Sequence, residues 1–152
     1  MFITIDSPLG KLTLHEESGA LARLVFGEAD YAGVPVATAL LTEAAEQLLA
    51  YFAGTLRLFE LPLAPSGTEF ERSVWRSMLE IPYGETRSYA ELAAMAGRMR
   101  ACRATGTACG HNPLPILIPC HRVVRSDGGE GGYSAGIAIK RFLLELERRF
   151  SV

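Results

Sequence analysis

The chain of 152 residues contains no apolar run approaching the roughly 18 residues that a membrane-spanning helix needs, so no transmembrane segment is expected. Its opening, Met1-Phe2-Ile3-Thr4-Ile5-Asp6, lacks the basic flank and cleavable apolar stretch of a secretory signal, and the expected address is cytoplasmic. Cysteine is scarce as well. The three present fall within residues 102–120, an odd and clustered set unlike the paired framework of a secreted disulfide domain, so reduced thiols are expected. Net charge is only −2, which taken whole argues against a polyanionic partner.

The charge is unevenly spread, however. Residues 92–126 hold five arginines (Arg98, Arg100, Arg103, Arg122 and Arg125) and no acidic residue, which leaves −7 on the remainder. A basic segment on an acidic body is a candidate footprint for nucleic acid, although a plain solvated basic surface fits the same count. With 49% hydrophobic residues the chain can bury a proper core.

Short alternating runs at residues 2–5, 12–15 and 22–26, punctuated by Pro8-Leu9-Gly10 and Ser18-Gly19, predict a three-stranded antiparallel meander. Leu40, Leu41, Ala44, Ala45, Leu48, Leu49 and Phe52 recur at helical spacing, so a helix over 38–52 should pack on that sheet, and 58–63 reads as a returning strand. Residues 61–67 alone have linker composition. The expected fold is therefore α+β: a support domain over 1–64, then a mainly helical domain over 65–152. His15, at a strand end, reads as a surface or half-buried residue rather than a ligand.

In the second domain Thr68 and Glu71 have capping-box spacing, with Phe70, Val74, Trp75 and Met78 as the buried stripe of the helix that follows. Ser88 and Glu91 open another helix, with Leu92, Met95 and Ala96 facing inward until Gly97. A helix over about 100–109 completes the proportions of a winged-helix-like helix-turn-helix. That last helix is nearly all small residues and offers no Asn, Gln or Lys to read base edges. It suits either close approach to a sugar-phosphate surface with little sequence preference, Arg100 and Arg103 supplying charge, or tight packing inside the protein.

An apolar run then leads to Pro119-Cys120-His121-Arg122. A free thiol ionises near pH 8.5, so a nucleophilic cysteine needs a base or a positive field, and His121 and Arg122 are candidates. A carboxylate would have to orient the imidazole, and Glu145 or Glu147 could serve. An inert buried cysteine remains an alternative. Zinc binding fits poorly, because no pair among Cys102, Cys109, His111, Cys120 and His121 has finger-type spacing.

Asn112-Pro113, Pro119-Cys120-His121-Arg122-Val123 and Gly131-Gly132-Tyr133-Ser134, in that order and spacing, resemble the signature of the O6-alkylguanine-DNA alkyltransferase family, the methylated-DNA–protein-cysteine methyltransferases. The resemblance covers most of residues 68–147. It implies a suicidal, stoichiometric enzyme of direct-reversal DNA repair that flips the damaged base and moves its O6-alkyl group irreversibly to Cys120. His121 would draw off the thiol proton through a water held by Glu147, and Tyr89 would assist the leaving guanine. Arg103 would fill the gap in the stack, with Tyr89 rotating the nucleotide and Ala101, Cys102 and Thr105 against the minor groove. Asn112 would be a hinge, and Val123, Tyr133, Ser134 and Lys140 would line the pocket. Implied too are duplex DNA carrying O6-alkylguanine as partner, a monomer open to cooperative clustering on DNA, and no metal or cofactor. Ala135 replaces a common glycine, implying a stiffer pocket loop, and Gly110-His111 replaces a commonly basic position, implying weaker DNA binding for which Arg125 would compensate. Two other classes remain as competitors: a non-catalytic recogniser of alkylated bases, against which Cys120 argues, and a redox-sensing regulator, against which the small-residue helix argues.

Overall fold

Ser18 and Gly19 both adopt positive φ (51° and 80°), the geometry that turns one strand back on the next with the twist a hairpin needs. They join β2 (Gly10–Glu17) to β3 (Ala20–Phe26), and β1 (Phe2–Ser7) lies on the other edge of β2, all antiparallel. Phe2 stands opposite His15 and Ser7 opposite Gly10, while the ladder between β2 and β3 slips at His15/Glu16. The computed structural model that gives this architecture describes residues 1–29, 31 and 33–151, so Val152, the last residue of the expected second domain, lies outside it.

Leu12, Leu14, Leu21 and Leu24 are buried in this unit, as are Leu41, Ala44, Leu48, Tyr51 and Phe52 of α1 (Ala39–Phe52). Each fully buried leucine contributes about 1.5–3 kcal/mol relative to exposure. Thr38 caps α1 by accepting from the Leu41 amide. His15 is half-buried and stacks on Tyr31 with ring centroids 4.6 Å apart. The strand expected at 58–63 does not form. Only Leu63 bridges Leu21, flanked by Leu21 N–H to the Pro62 carbonyl at 2.9 Å and Ala64 N–H to the Leu21 carbonyl at 2.9 Å. Pro62 has no N–H to extend a ladder.

Two compact units result, Met1–Ser66 and Gly67–Val152. The second begins with α2 (Glu69–Met78), whose Thr68–Glu71 capping box is complete, and continues with β4 (Arg87–Ser88) and α3 (Tyr89–Met95), where the Ser88–Glu91 box is complete as well. Val74, Trp75 and Met78 are buried, while Phe70 is only half-buried. In α3 the inward residues are Leu92 and Ala93 rather than Leu92, Met95 and Ala96: Met95, the last residue of the helix, is exposed. α4 (Cys102–Gly110) packs on α2 and α3, and the buried Trp75 Nε1–H donates to the Ala108 carbonyl at 2.9 Å, fixing α2 against α4. A 3-10 turn (Cys120–Arg122), β5 (Val123–Val124), parallel to β4, and α5 (Ile137–Phe150) follow. Among the described residues no helix is long and apolar enough to cross a membrane.

Candidate active site

The segment between α4 and the 3-10 turn is buried from Leu114 to Cys120 but is not a strand. Irregular backbone in a core must find partners for its polar groups, and one side chain supplies them. Asn112 Oδ1 accepts from the Leu114 amide at 3.0 Å while its Nδ2 donates to the Ile118 carbonyl at 2.8 Å, so a single amide pins both ends of the turn. Ile118 N–H closes on the Leu114 carbonyl at 2.8 Å, and Ile116 is forced to a φ of 73°, an outlier for a β-branched residue. The apolar run is thus a pinned, strained turn that delivers Cys120 to the first position of the 3-10 turn.

Cys120 is 7% exposed. Burial pushes its thiol above the usual range, and the Asn112 amide, the Tyr133 hydroxyl and the Lys140 ammonium pull the other way by favouring the thiolate. Among the described residues the Tyr133 hydroxyl has no well-formed hydrogen bond. Burial raises its pKa, and the Cys120 thiolate would raise it further.

Behind the thiol, His121 is fully buried and its Nε2 meets Glu147 Oε2 at 2.6 Å. Burial lowers the imidazole pKa, opposed by Glu147. Burial would raise the Glu147 carboxyl, but His121 and Arg122 hold it down at about 2. Arg122 Nε donates to Glu147 Oε1 at 2.8 Å, its Nη2 to Oε2 at 3.0 Å and its Nη1 to the Ile81 carbonyl at 2.7 Å, and Gly84 N–H adds a donor to Oε1 at 3.2 Å. Glu147 therefore binds the imidazole directly. Among the described residues His121 Nδ1 has no partner. Glu145, the other carboxylate considered, is exposed and paired with Arg148.

Cys120 opens on a cavity of about 280 Å³ lined by Tyr89, Gly106, Cys109, Gly110, Gly132 and Tyr133. Tyr89, first residue of α3, lies over the glycine loop: a Cβ at Gly131, whose φ is 74°, would sit 2.7 Å from the Tyr89 hydroxyl oxygen. Burial raises the Tyr89 pKa, with Cys109 and Cys120 adding to the rise. Gly106, Cys109 and Gly110 were not anticipated as pocket walls, although their i, i+3, i+4 spacing places them on one face of α4. Cys109 is buried with Sγ 3.7 Å from Met78 Sδ, and burial pushes its thiol up to about 12.

Several expected assignments fit poorly. Val123, Ser134 and Lys140 do not line this cavity: Val123 is buried, Ser134 is exposed, and the buried Lys140 donates to the Val123 carbonyl at 2.6 Å and the Gly132 carbonyl at 3.2 Å. Lys140 ties β5 to the glycine loop. Thr105 has no exposed surface, so its side chain faces the core rather than a groove of DNA. Arg122 belongs to the Glu147 network and leaves the basic surface. A second, open groove of about 680 Å³ runs along α4, with Arg100, Ala101, Arg103, Ala104, Thr107 and His111 on one side and Phe70 and Glu71 on the other. Cys102 is exposed outside it. Among the described residues no cluster of three His, Cys, Asp or Glu is arranged to hold a metal ion.

A small sheet-and-helix unit joined to a helix-turn-helix unit, with a buried cysteine backed by a His–Glu–Arg network, defines a class of helix-turn-helix proteins built around one buried thiol. Residues 1–65 match the 6-O-methylguanine DNA methyltransferase ribonuclease-like domain and residues 69–149 the DNA-binding domain of the same family. The chain belongs to the 6-O-methylguanine DNA methyltransferase family. It is 41% identical to a constitutive methylated-DNA–protein-cysteine methyltransferase of Bacillus subtilis, the match covering 97% of this chain and 94% of that one. A methylated-DNA–protein-cysteine methyltransferase of Methanosarcina barkeri is 58% identical over 105 residues, 69% of this chain and 66% of the relative. The crystal structure of Mycobacterium tuberculosis OGT in complex with DNA superposes with a TM-score of 0.91 at 46% identity, covering 98% of this chain and 93% of that chain.

Proposed function

We propose that this protein repairs O6-alkylguanine in duplex DNA by direct reversal, moving the alkyl group to Cys120 once per molecule. The observation that carries the reading is a buried thiol at the wall of a cavity of about 280 Å³, with an ionised carboxylate fixed on the imidazole behind it. A base that must reach a sulfur 7% exposed has to leave the stack, at a cost of a few kcal/mol that is least for a damaged pair. α4 docks in the minor groove with Arg103 entering the gap, and Tyr89 turns the nucleotide toward the cavity. Ala101 at the start of α4 and Cys102 beside it contact the backbone.

A water between Sγ and the unpartnered Nδ1 of His121 carries the thiol proton to the imidazole, since a buried ring nitrogen without a protein partner is a ready site for one. The resulting imidazolium is stabilised by Glu147. The thiolate attacks the alkyl carbon in line and the C–O bond breaks. Its electron pair returns to guanine, which takes a proton from the Tyr89 hydroxyl. The products are guanine and a thioether that has no hydrolytic exit. The reaction balances without metal or cofactor. Every group in it comes from the second unit, residues 67–152, so one copy suffices, and the first unit, residues 1–66, is its support.

Incubation with a duplex containing O6-methylguanine should add the mass of one methyl group per chain, and Cys120→Ala should add none. Unchanged mass with retained binding would identify a recogniser instead.

A further inference from the structure

The α4 groove has a floor of small and aromatic side chains (Ala101, Ala104, Ala108 and Phe70) and a rim carrying Arg100, Arg103 and His111. One rim group has the wrong sign for a polyanion. Glu71 lines the same groove, and it cannot swing away: its Oε1 accepts from the Thr68 amide at 3.0 Å as part of the α2 cap, and its Oε2 holds His111 Nδ1 at 2.8 Å. Its carboxyl sits below the usual range, first because of the Thr68 amide and then because of His111, so it stays charged.

With Nδ1 engaged, the free nitrogen of His111 is Nε2, on the far side of a ring whose side chain is 63% exposed. A neutral imidazole held this way through Nδ1–H offers only an acceptor at Nε2, which a phosphate cannot use. A protonated one offers a donor there and cancels the charge of Glu71. The charged groups lining the groove with His111 are Glu71 from α2, Arg100 ahead of α4 and Arg103 on α4.

We infer that His111, oriented by Glu71, is a conditional phosphate contact: protonated, it grips the sugar-phosphate strand lying along α4, so DNA affinity rises on acidification. The occupant is duplex DNA rather than an acidic protein, because the groove is a shallow track of small residues on a matched DNA-binding domain, flanked by arginines. This rests on the docking of α4 proposed above.

The test is the salt dependence of binding to an unmodified labelled duplex, read by fluorescence anisotropy at pH near 7.8 and near 5.8. One added phosphate contact should steepen the slope of log K against log salt by about 0.9 in the unsubstituted protein at the lower pH. Affinity should rise by up to about five-fold, the ceiling for an exposed ion pair. His111→Gln should keep the shallow slope at both pH values, and His111→Arg the steep one. A slope indifferent to pH in the unsubstituted protein, absence of duplex binding, or steepening that survives in His111→Gln overturns the inference. The repair reading is judged separately, by mass gain of the unsubstituted protein from a free O6-alkylguanine base, which needs no duplex.

Discussion

Glu147 accepts hydrogen bonds from Arg122, His121 and the Gly84 amide while being 1% exposed, so it balances a buried guanidinium and sets one end of the imidazole. Removing it leaves a buried cation unpaired. Glu147→Ala should therefore cost about 3–5 kcal/mol in urea unfolding as well as slowing transfer. The choice of this carboxylate over Glu145 was invisible in sequence. Both lie on α5, two residues apart, and only the packing of one face of that helix against the 3-10 turn separates a core residue from a solvated one. Arg122 misled in the same way: counted with a basic surface, it is an internal counter-ion, because its side chain follows the backbone of the 3-10 turn inward.

At the scale of elements, the cavity is an agreement between the start of α3, one face of α4 and the glycine loop. Gly131 is where the loop and Tyr89 come closest. Gly131→Ala would place a side chain at a φ of 74° and a Cβ 2.7 Å from the Tyr89 oxygen. Stability should fall by about 1–2 kcal/mol, and transfer from duplex DNA should slow on the order of tenfold to a hundredfold as Tyr89 is displaced. Single-turnover kinetics on the methylated duplex reads this directly, and a rate equal to that of the unsubstituted protein would remove Tyr89 from its assigned position. The helices themselves were legible: both capping boxes, Thr68 with Glu71 and Ser88 with Glu91, form as their spacing indicates, since each is settled within four residues. Residues 58–63 looked like a strand and 114–118 formed an apolar run, yet composition alone does not set a backbone: the first is exposed or half-buried and the second is a buried turn. Pro62 decides the backbone of the first and the Asn112 clamp that of the second.

For the whole molecule, the buried His121–Glu147–Arg122 network makes stability depend on pH. The imidazole pKa is held below its ordinary 6.5 by burial. As the pH falls through 6.5 the unfolded chain is protonated first, and folding stability declines. The Glu147 carboxyl, at about 2 rather than 4.5, adds a second decline between those values, because the unfolded carboxyl takes up its proton while the folded one remains ionised. Urea midpoints should thus drop in two stages on acidification with little change in m, and a midpoint flat from pH 7 to 5 would contradict the burial of a neutral His121.

The sequence by itself determined the α+β order of elements and the helix starts, and it singled out Cys120, because capping, periodicity and a contiguous Pro-Cys-His-Arg motif are all local. Tertiary structure alone decided what surrounds the thiol. That Thr105 faces the core, that Cys109 and Gly106 form a wall, that Lys140 braces the glycine loop and that Glu71 reaches His111 forty positions away all depend on which faces of separate helices meet. That meeting is fixed by the summed burial of the whole core, which no short stretch of the chain encodes.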